Sequence, residues 1–120
     1  MEPKNSMKWP LETKLSEMDW GSMEWLLDDS IVPGAEMSVA VMTVKMGEIA
    51  PGHSHPNCNE FILLTRGSVE QVMDGEKKVL RAGESVFVPA GVIHSIRNLG
   101  TEDAQMIVTY SAGVRKYESA

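Results

Sequence analysis

Apolar residues along most of this chain come in short runs at extended-chain spacing, with almost no trace of the 3.6-residue helical period. From Glu36 to Met46, valine, methionine and threonine occupy both parities, the pattern of a strand covered on both faces. Glu60 to Thr65 reads as a second strand and Ser68 to Met73 as a third. Asp74-Gly75 is a hairpin turn into Lys77 to Leu80, and Arg81 to Glu84 is the next turn. Ser85 to Val88 is a short strand stopped by Pro89-Ala90-Gly91. His94 to Asn98 and Ala104 to Ser111 complete the set, with the polar turn Leu99 to Asp103 between them. Short strands with turn signals about every 8 to 12 residues predict an all-β fold, a barrel or double-sheet jelly roll.

The N-terminal stretch reads differently. Trp9, Trp20 and Trp25 are the only three tryptophans in the chain. Met23 to Leu27 could be an outer strand, and Asp28-Asp29-Ser30 with Pro33-Gly34 makes a loop. Residues 1–35 therefore read as an N-terminal arm and residues 36–120 as the barrel domain. Large aromatics in an arm need a surface to cover, either their own barrel or a second subunit's, and a homodimer is the expected assembly.

Composition narrows the function. A chain of 120 residues is one domain. Seventeen acidic against eleven basic residues give a formal charge of −6, and only Lys77-Lys78 puts two basic residues side by side. No basic stripe for a nucleic-acid backbone is visible, and phosphate-bearing substrates are disfavoured for the same reason. There is no apolar run of the roughly 18 residues a membrane span needs, and no signal-like N-terminal stretch. With Cys58 as the single cysteine, no internal disulfide can form, and a cytoplasmic setting is expected.

The chemistry concentrates in two glycine-framed segments, Gly47 to Gly67 and Gly83 to Asn98, which hold all three histidines. His53 and His55 are two apart, so an extended chain presents both on one face. Glu60 follows the Pro56-Asn57 bend, and His94 follows the Pro89–Gly91 turn. Taken singly, each has an ordinary structural use. Taken together, three imidazoles and a carboxylate suffice to hold one divalent transition metal with positions left open. Gly47, Gly67, Gly83 and Gly91 fall where strands turn and positive φ is expected. Cys58 is either a further soft donor or a loop residue of no consequence, and Asn57 and Asn59 suggest a solvated turn. Met42, Met46, Met73 and Met106 are read as core filling, with a Met-lined pocket as the alternative. If Glu60 points inward, Ile62 shares its face, and His94 brings Ile96 with it. The expected substrate pocket has Ile62 and Ile96 as apolar wall and Gln71 and Tyr110 as candidate polar contacts, with Gln105 as a further one; the sequence leaves the facing of these three open.

These residues resemble the two cupin motifs. The first is glycine, five residues, His-x-His, three or four residues, glutamate, six residues, glycine; Gly47, His53, His55, Glu60 and Gly67 meet it. The second is glycine, five residues, Pro-x-Gly, two residues, histidine, three residues, asparagine; Gly83, Pro89, Gly91, His94 and Asn98 meet it. The resemblance implies a double-stranded β-helix, the conical cupin barrel, with a metal inside its wider end. It implies His53, His55, Glu60 and His94 as ligands of one divalent ion, usually Fe, Mn, Ni, Zn or Cu. It does not choose a reaction, because cupins include oxidative enzymes, redox-neutral enzymes and sensors.

The favoured expectation is a metal-dependent enzyme for an anionic or enolisable small molecule, leaning towards dioxygen-dependent oxidation. No auxiliary base is evident, so Glu60 leaving the metal, or a metal-bound water, would do the acid–base work. A redox-neutral isomerase, dehydratase or cyclase is the nearer alternative. A non-catalytic binding or sensing module is the more distant one.

Overall fold

The computed structural model describes residues 9–120, so residues 1–8 of the arm lie outside the described residues. Eleven strands follow one another: β1 (Lys14–Met18), β2 (Gly21–Leu27), β3 (Ser38–Val44), β4 (Ile49–Ser54), β5 (Glu60–Arg66), β6 (Ser68–Met73), β7 (Glu76–Arg81), β8 (Ser85–Val88), β9 (His94–Asn98), β10 (Ala104–Tyr110) and β11 (Glu118–Ser119). They form two antiparallel sheets, ordered β1-β2-β3-β10-β5-β8 and β11-β4-β9-β6-β7. Among the described residues there is no helix, and none long and apolar enough to cross a membrane.

The core lies between the sheets. Met42, Val44, Ile62, Leu64, Met106 and Val108 come from one sheet, and Ala50, Val69 and Ile96 from the other. Strand β3 shows why both parities are apolar. Ser38, Ala40, Met42 and Val44 are buried inward, while Val39, Val41 and Thr43 are half-covered on the other face. Met106, at 0% exposure, and Met42 fill the core, and Met73 packs against it. The expectation for Met46 is corrected: β3 ends at Val44, and Met46 sits in the following turn, 57% exposed.

The hairpin Asp74-Gly75 has both residues at positive φ, 50° and 81°, the conformation that matches the right-handed twist of its flanking strands β6 and β7. The four motif glycines, Gly47, Gly67, Gly83 and Gly91, all have positive φ. Strands β1, β4 and β11 have no clear alternation in the sequence. Every residue of β1 except Met18 is exposed, so pairing with β2 rather than burial places it. In this chain the arm is continuous with the barrel, because β2 pairs with β3 from Gly21↔Val44 to Leu27↔Val39.

Gly21 controls that junction. A β-carbon there would lie 1.8 Å from the Thr43 carbonyl oxygen, which is backbone and cannot swing aside. Gly75 has positive φ but open space around it. Gly21→Ala is therefore expected to cost more than about 2 kcal/mol, and Gly75→Ala only about 1 kcal/mol from backbone strain. Denaturant titration of both variants checks this; equal losses would contradict it.

Candidate metal centre

The four motif side chains arrive from three places. His53 lies near the end of β4 and His55 just past it, Glu60 opens β5, and His94 opens β9. The β4–β9 ladder runs Ala50↔Ile96 and then His53↔His94, one extra residue on β4. That bulge shifts the inward position from Gly52 to His53 and sets its ring 4.3 Å from that of His94. His55 and Glu60 are joined by the tight Pro56–Asn59 loop, and both are buried. One potential ligand atom from each of His53, His55, Glu60 and His94 lies within 4.8 Å of all the others.

Hydrogen bonding fixes what these atoms offer. His53 Nδ1 lies 2.8 Å from the Pro51 carbonyl, His55 Nδ1 2.8 Å from the Lys116 carbonyl, and His94 Nδ1 2.9 Å from the Val92 carbonyl. A carbonyl only accepts, so each Nδ1 carries the proton and each neutral ring turns its Nε2 lone pair away from that contact. His55 Nε2, His94 Nε2 and Glu60 Oε1 are buried with no hydrogen-bond partner among the described residues. Yet Glu60 Oε1 is only 2.9 Å from His94 Nε2 and 3.5 Å from His55 Nε2. Lone pairs facing a carboxylate at such distances repel unless a cation lies among them. A zinc-like ion with bonds of about 2.0–2.2 Å needs its ligands about 3–4.4 Å apart. The observed spread closes to that by small side-chain shifts, so the donor set fits a divalent metal.

The electrostatics agree. Burial pulls His53 down to about 4 and also lowers His55, which keeps both rings neutral. Burial pulls His94 the same way, but the Glu60 carboxylate would accept a hydrogen bond from a protonated His94 Nε2 and attracts its charge, which together outweigh burial and raise His94 above 6.5. A proton shared by His94 and Glu60 is thus the smallest cation the cluster can hold. Burial and the Glu60 charge also hold the Tyr110 hydroxyl protonated well above its usual range.

The cluster opens into a cavity of about 150 Å³. Met18, Trp20, Met23, Met42 and Ile96 give it apolar walls, and His53, Glu60, His94, Tyr110, Arg115 and Tyr117 supply its polar groups. Ile96 and Tyr110, both candidates from the sequence, line this cavity. Two other pocket expectations are corrected. Ile62 is 1% exposed and belongs to the core rather than the cavity wall. Gln71 faces a separate cavity of about 430 Å³ with Met73, Leu80, Val86 and Val92. Gln105 pairs across the sheet with Thr43, among the residues that alternate away from the core. Cys58 is buried in the core outside the four-residue cluster, and burial pushes its thiol pKa up.

Sequence reasoning missed the C-terminal segment between β10 and β11. Gly113 passes so close to Asp29 that a β-carbon there would lie 1.9 Å from the carboxylate oxygen, and the Gly113 carbonyl accepts from the Asp29 N–H. Asn57 is an anchor rather than a solvated turn residue. Its Nδ2 donates to the Val114 carbonyl, and its Oδ1 accepts from the Lys116 N–H, both at 2.8 Å. Asn59 likewise accepts from the Ala90 N–H in the Pro89–Gly91 turn. The segment thereby presents the Lys116 carbonyl to His55 and stacks Tyr117 on His53, with centroids 4.8 Å apart and planes 17° apart. It has no periodicity in the sequence; a loop glycine followed by an Arg-Lys-Tyr run was the only available hint.

Comparison with known proteins places this geometry. The cupin-domain family model matches residues 40–110. The chain is 31% identical over 87 residues to "Polyketide synthase CurC" of Streptomyces cyaneus, covering 72% of this chain and 56% of that protein. It is 33% identical over 64 residues to "Quercetin 2,3-dioxygenase" of Bacillus subtilis, covering 53% of this chain and 19% of that protein. It thus spans little more than half the length of the first and less than a fifth of the second. The fold matches a crystal structure of Lactobacillus farciminis oxalate decarboxylase in complex with formate, with a TM-score of 0.81 at 20% identity, covering 89% of this chain and 33% of that one.

Metal affinity is expected to fall with acidification, because a proton on the ligating Nε2 must leave before that ring can hold the metal, while the Nδ1 proton stays. Since Glu60 raises His94, the fall begins above pH 6.5, while His53, at about 4, contributes only in stronger acid. The loss is up to about tenfold per pH unit for each proton displaced. Zinc titration calorimetry from pH 8 to pH 5 in non-coordinating buffers measures it; a flat profile would contradict the assignment.

Proposed function

The chain belongs to the cupin-domain family, and from that premise we propose that it is a metal-dependent enzyme acting on a compact, anionic or enolisable small molecule. His53, His55, Glu60 and His94 would hold one divalent transition metal of the Fe, Mn, Ni, Zn or Cu group. The observation that carries this reading is the set of buried acceptor atoms without partners, His55 Nε2, His94 Nε2 and Glu60 Oε1. Buried polar atoms are almost always satisfied, so an unsatisfied group of lone pairs converging on one point calls for a cation. A bound divalent ion would supply Lewis-acid polarisation of a substrate oxygen.

The chain's own groups define the substrate. Three neutral imidazoles and one carboxylate leave a divalent charge half compensated, which favours an enolate or carboxylate. The cavity of about 150 Å³ is comparable to engineered cavities that take a benzene, so the reacting part is small. Its apolar walls exclude competing water. Tyr110 and Glu60 are the neighbouring proton donor and acceptor, the hydroxyl held protonated beside the carboxylate.

Similarity to a quercetin 2,3-dioxygenase supports dioxygen-dependent oxidation as the leading reaction type. Similarity to a polyketide synthase protein, and the protonated Tyr110 as a ready acid, support a redox-neutral isomerisation, dehydration or cyclisation as the second reading. Oxygen consumption by the iron(II)-loaded protein on addition of acetylacetone, a compact enolisable probe, separates the two. The oxidative reading expects uptake above that of free iron(II), lost in His94→Ala, which still folds. Iron retained without oxygen uptake overturns the oxidative reading in favour of the redox-neutral one.

A further inference from the structure

Among the described residues, Arg115 is the one cation that lines the metal cavity from outside the motifs. Its guanidinium carbon lies 4.9 Å from the ring centroid of Trp25, 5.3 Å from that of Tyr110 and 5.9 Å from that of Tyr117. Aromatic faces support the flat surface of a guanidinium and leave its N–H edge, a rigid fork of donors, free to bind in-plane. Among the described residues no carboxylate lies within 4.0 Å of that edge; the ion pairs present use Lys14, Arg66, Lys78, His55 and His94. An arginine held only by ring faces is not spent on a structural ion pair.

Its position adds a second argument. Arg115 and Tyr117 line the metal cavity and also a surface groove shared with Trp25, Asp28, Ser30 and Ser38. The two residues therefore form the partition between solvent and the metal centre. Asp28, the acidic group of the groove, is already engaged by Ser30 and by Lys14 at 3.6 Å. Asn57 and the Asp29–Gly113 contact fix the backbone on both sides of Arg115, and the rings of Trp25 and Tyr110 flank its guanidinium.

We propose that Arg115 is the carboxylate-binding residue of this cavity: it receives a carboxylate of the substrate from the surface groove and holds the rest of the molecule over the metal centre. This rests on the metal-centre reading for the substrate's other end, but the anion site itself is built only of Arg115 and its aromatic support. The ligand class is a small monocarboxylate with a hydroxyl or carbonyl oxygen a few bonds from the carboxylate. A charge-assisted fork contact is worth about tenfold or more in affinity.

The test is calorimetric titration of salicylate and its uncharged analogue salicylamide into the zinc-loaded and the metal-free protein. The expected result is that the wild-type protein prefers salicylate, that Arg115→Gln loses salicylate affinity by about tenfold or more with salicylamide little changed, and that Arg115→Lys recovers part of the loss. If Arg115→Gln binds salicylate as the wild type does, or loses both ligands equally, the proposal is overturned and Arg115 is a packing residue. Failure of the protein to take up zinc would instead sink the metal-centre reading. The variant comparison in the metal-free protein still decides the role of Arg115.

Discussion

Three histidine rings and a carboxylate converge on one point, with the buried His55 Nε2, His94 Nε2 and Glu60 Oε1 left without partners, and the surrounding structure is arranged to keep them there. Left alone, such a group is costly: buried acceptors without donors are among the most expensive features a protein can carry. Each ring is held by a backbone carbonyl on its far nitrogen, so none can turn its open nitrogen towards the solvent. The fold thus keeps an electrostatic deficit that only a cation relieves. A shared proton between His94 and Glu60 relieves part of it, and a divalent metal would relieve it more fully.

Secondary structure alone does not position this group. The β4 bulge turns His53 inward, and the Pro89–Gly91 turn, tied to Asn59, delivers His94 to the start of its strand. His55 depends on the distant Lys116, whose backbone is clamped by Asn57, two residues beyond His55. Loop and C-terminal segment are thereby coupled. The same segment carries Tyr117 onto His53 and Arg115 into the cavity, so ligand orientation and access to the site share one mechanical support. The arm joins this enclosure, since Met18, Trp20 and Met23 line the cavity wall while β2 extends the sheet beside β3.

Much of this was legible in the residue order, for identifiable reasons. Spacing between histidines, glutamate and turn glycines survives any detail of packing, so the convergence of His53, His55, Glu60 and His94 and the succession of the central strands could be read directly. Face parity was less dependable. Glu60, Ile62 and Leu64 do share an inward face, yet only Glu60 meets the cavity, because the cavity lies towards β2, β3, β4 and β9 while Ile62 and Leu64 fill the core. Gln71, whose facing the sequence left open, is buried and opens onto a different cavity. Met46 looked like a strand residue because it closes a run rich in valine and threonine, but the turn it forms with Gly47 claims it. The C-terminal segment was invisible, since its structure comes from side-chain clamps tens of residues away rather than from any local period.

X-ray absorption spectroscopy at the metal edge of the zinc-loaded protein tests the central claim most directly. Three imidazole nitrogens and at least one carboxylate oxygen at about 2.0–2.2 Å are expected. A sulfur scatterer from Cys58, or a shell with fewer than three imidazoles, would contradict it.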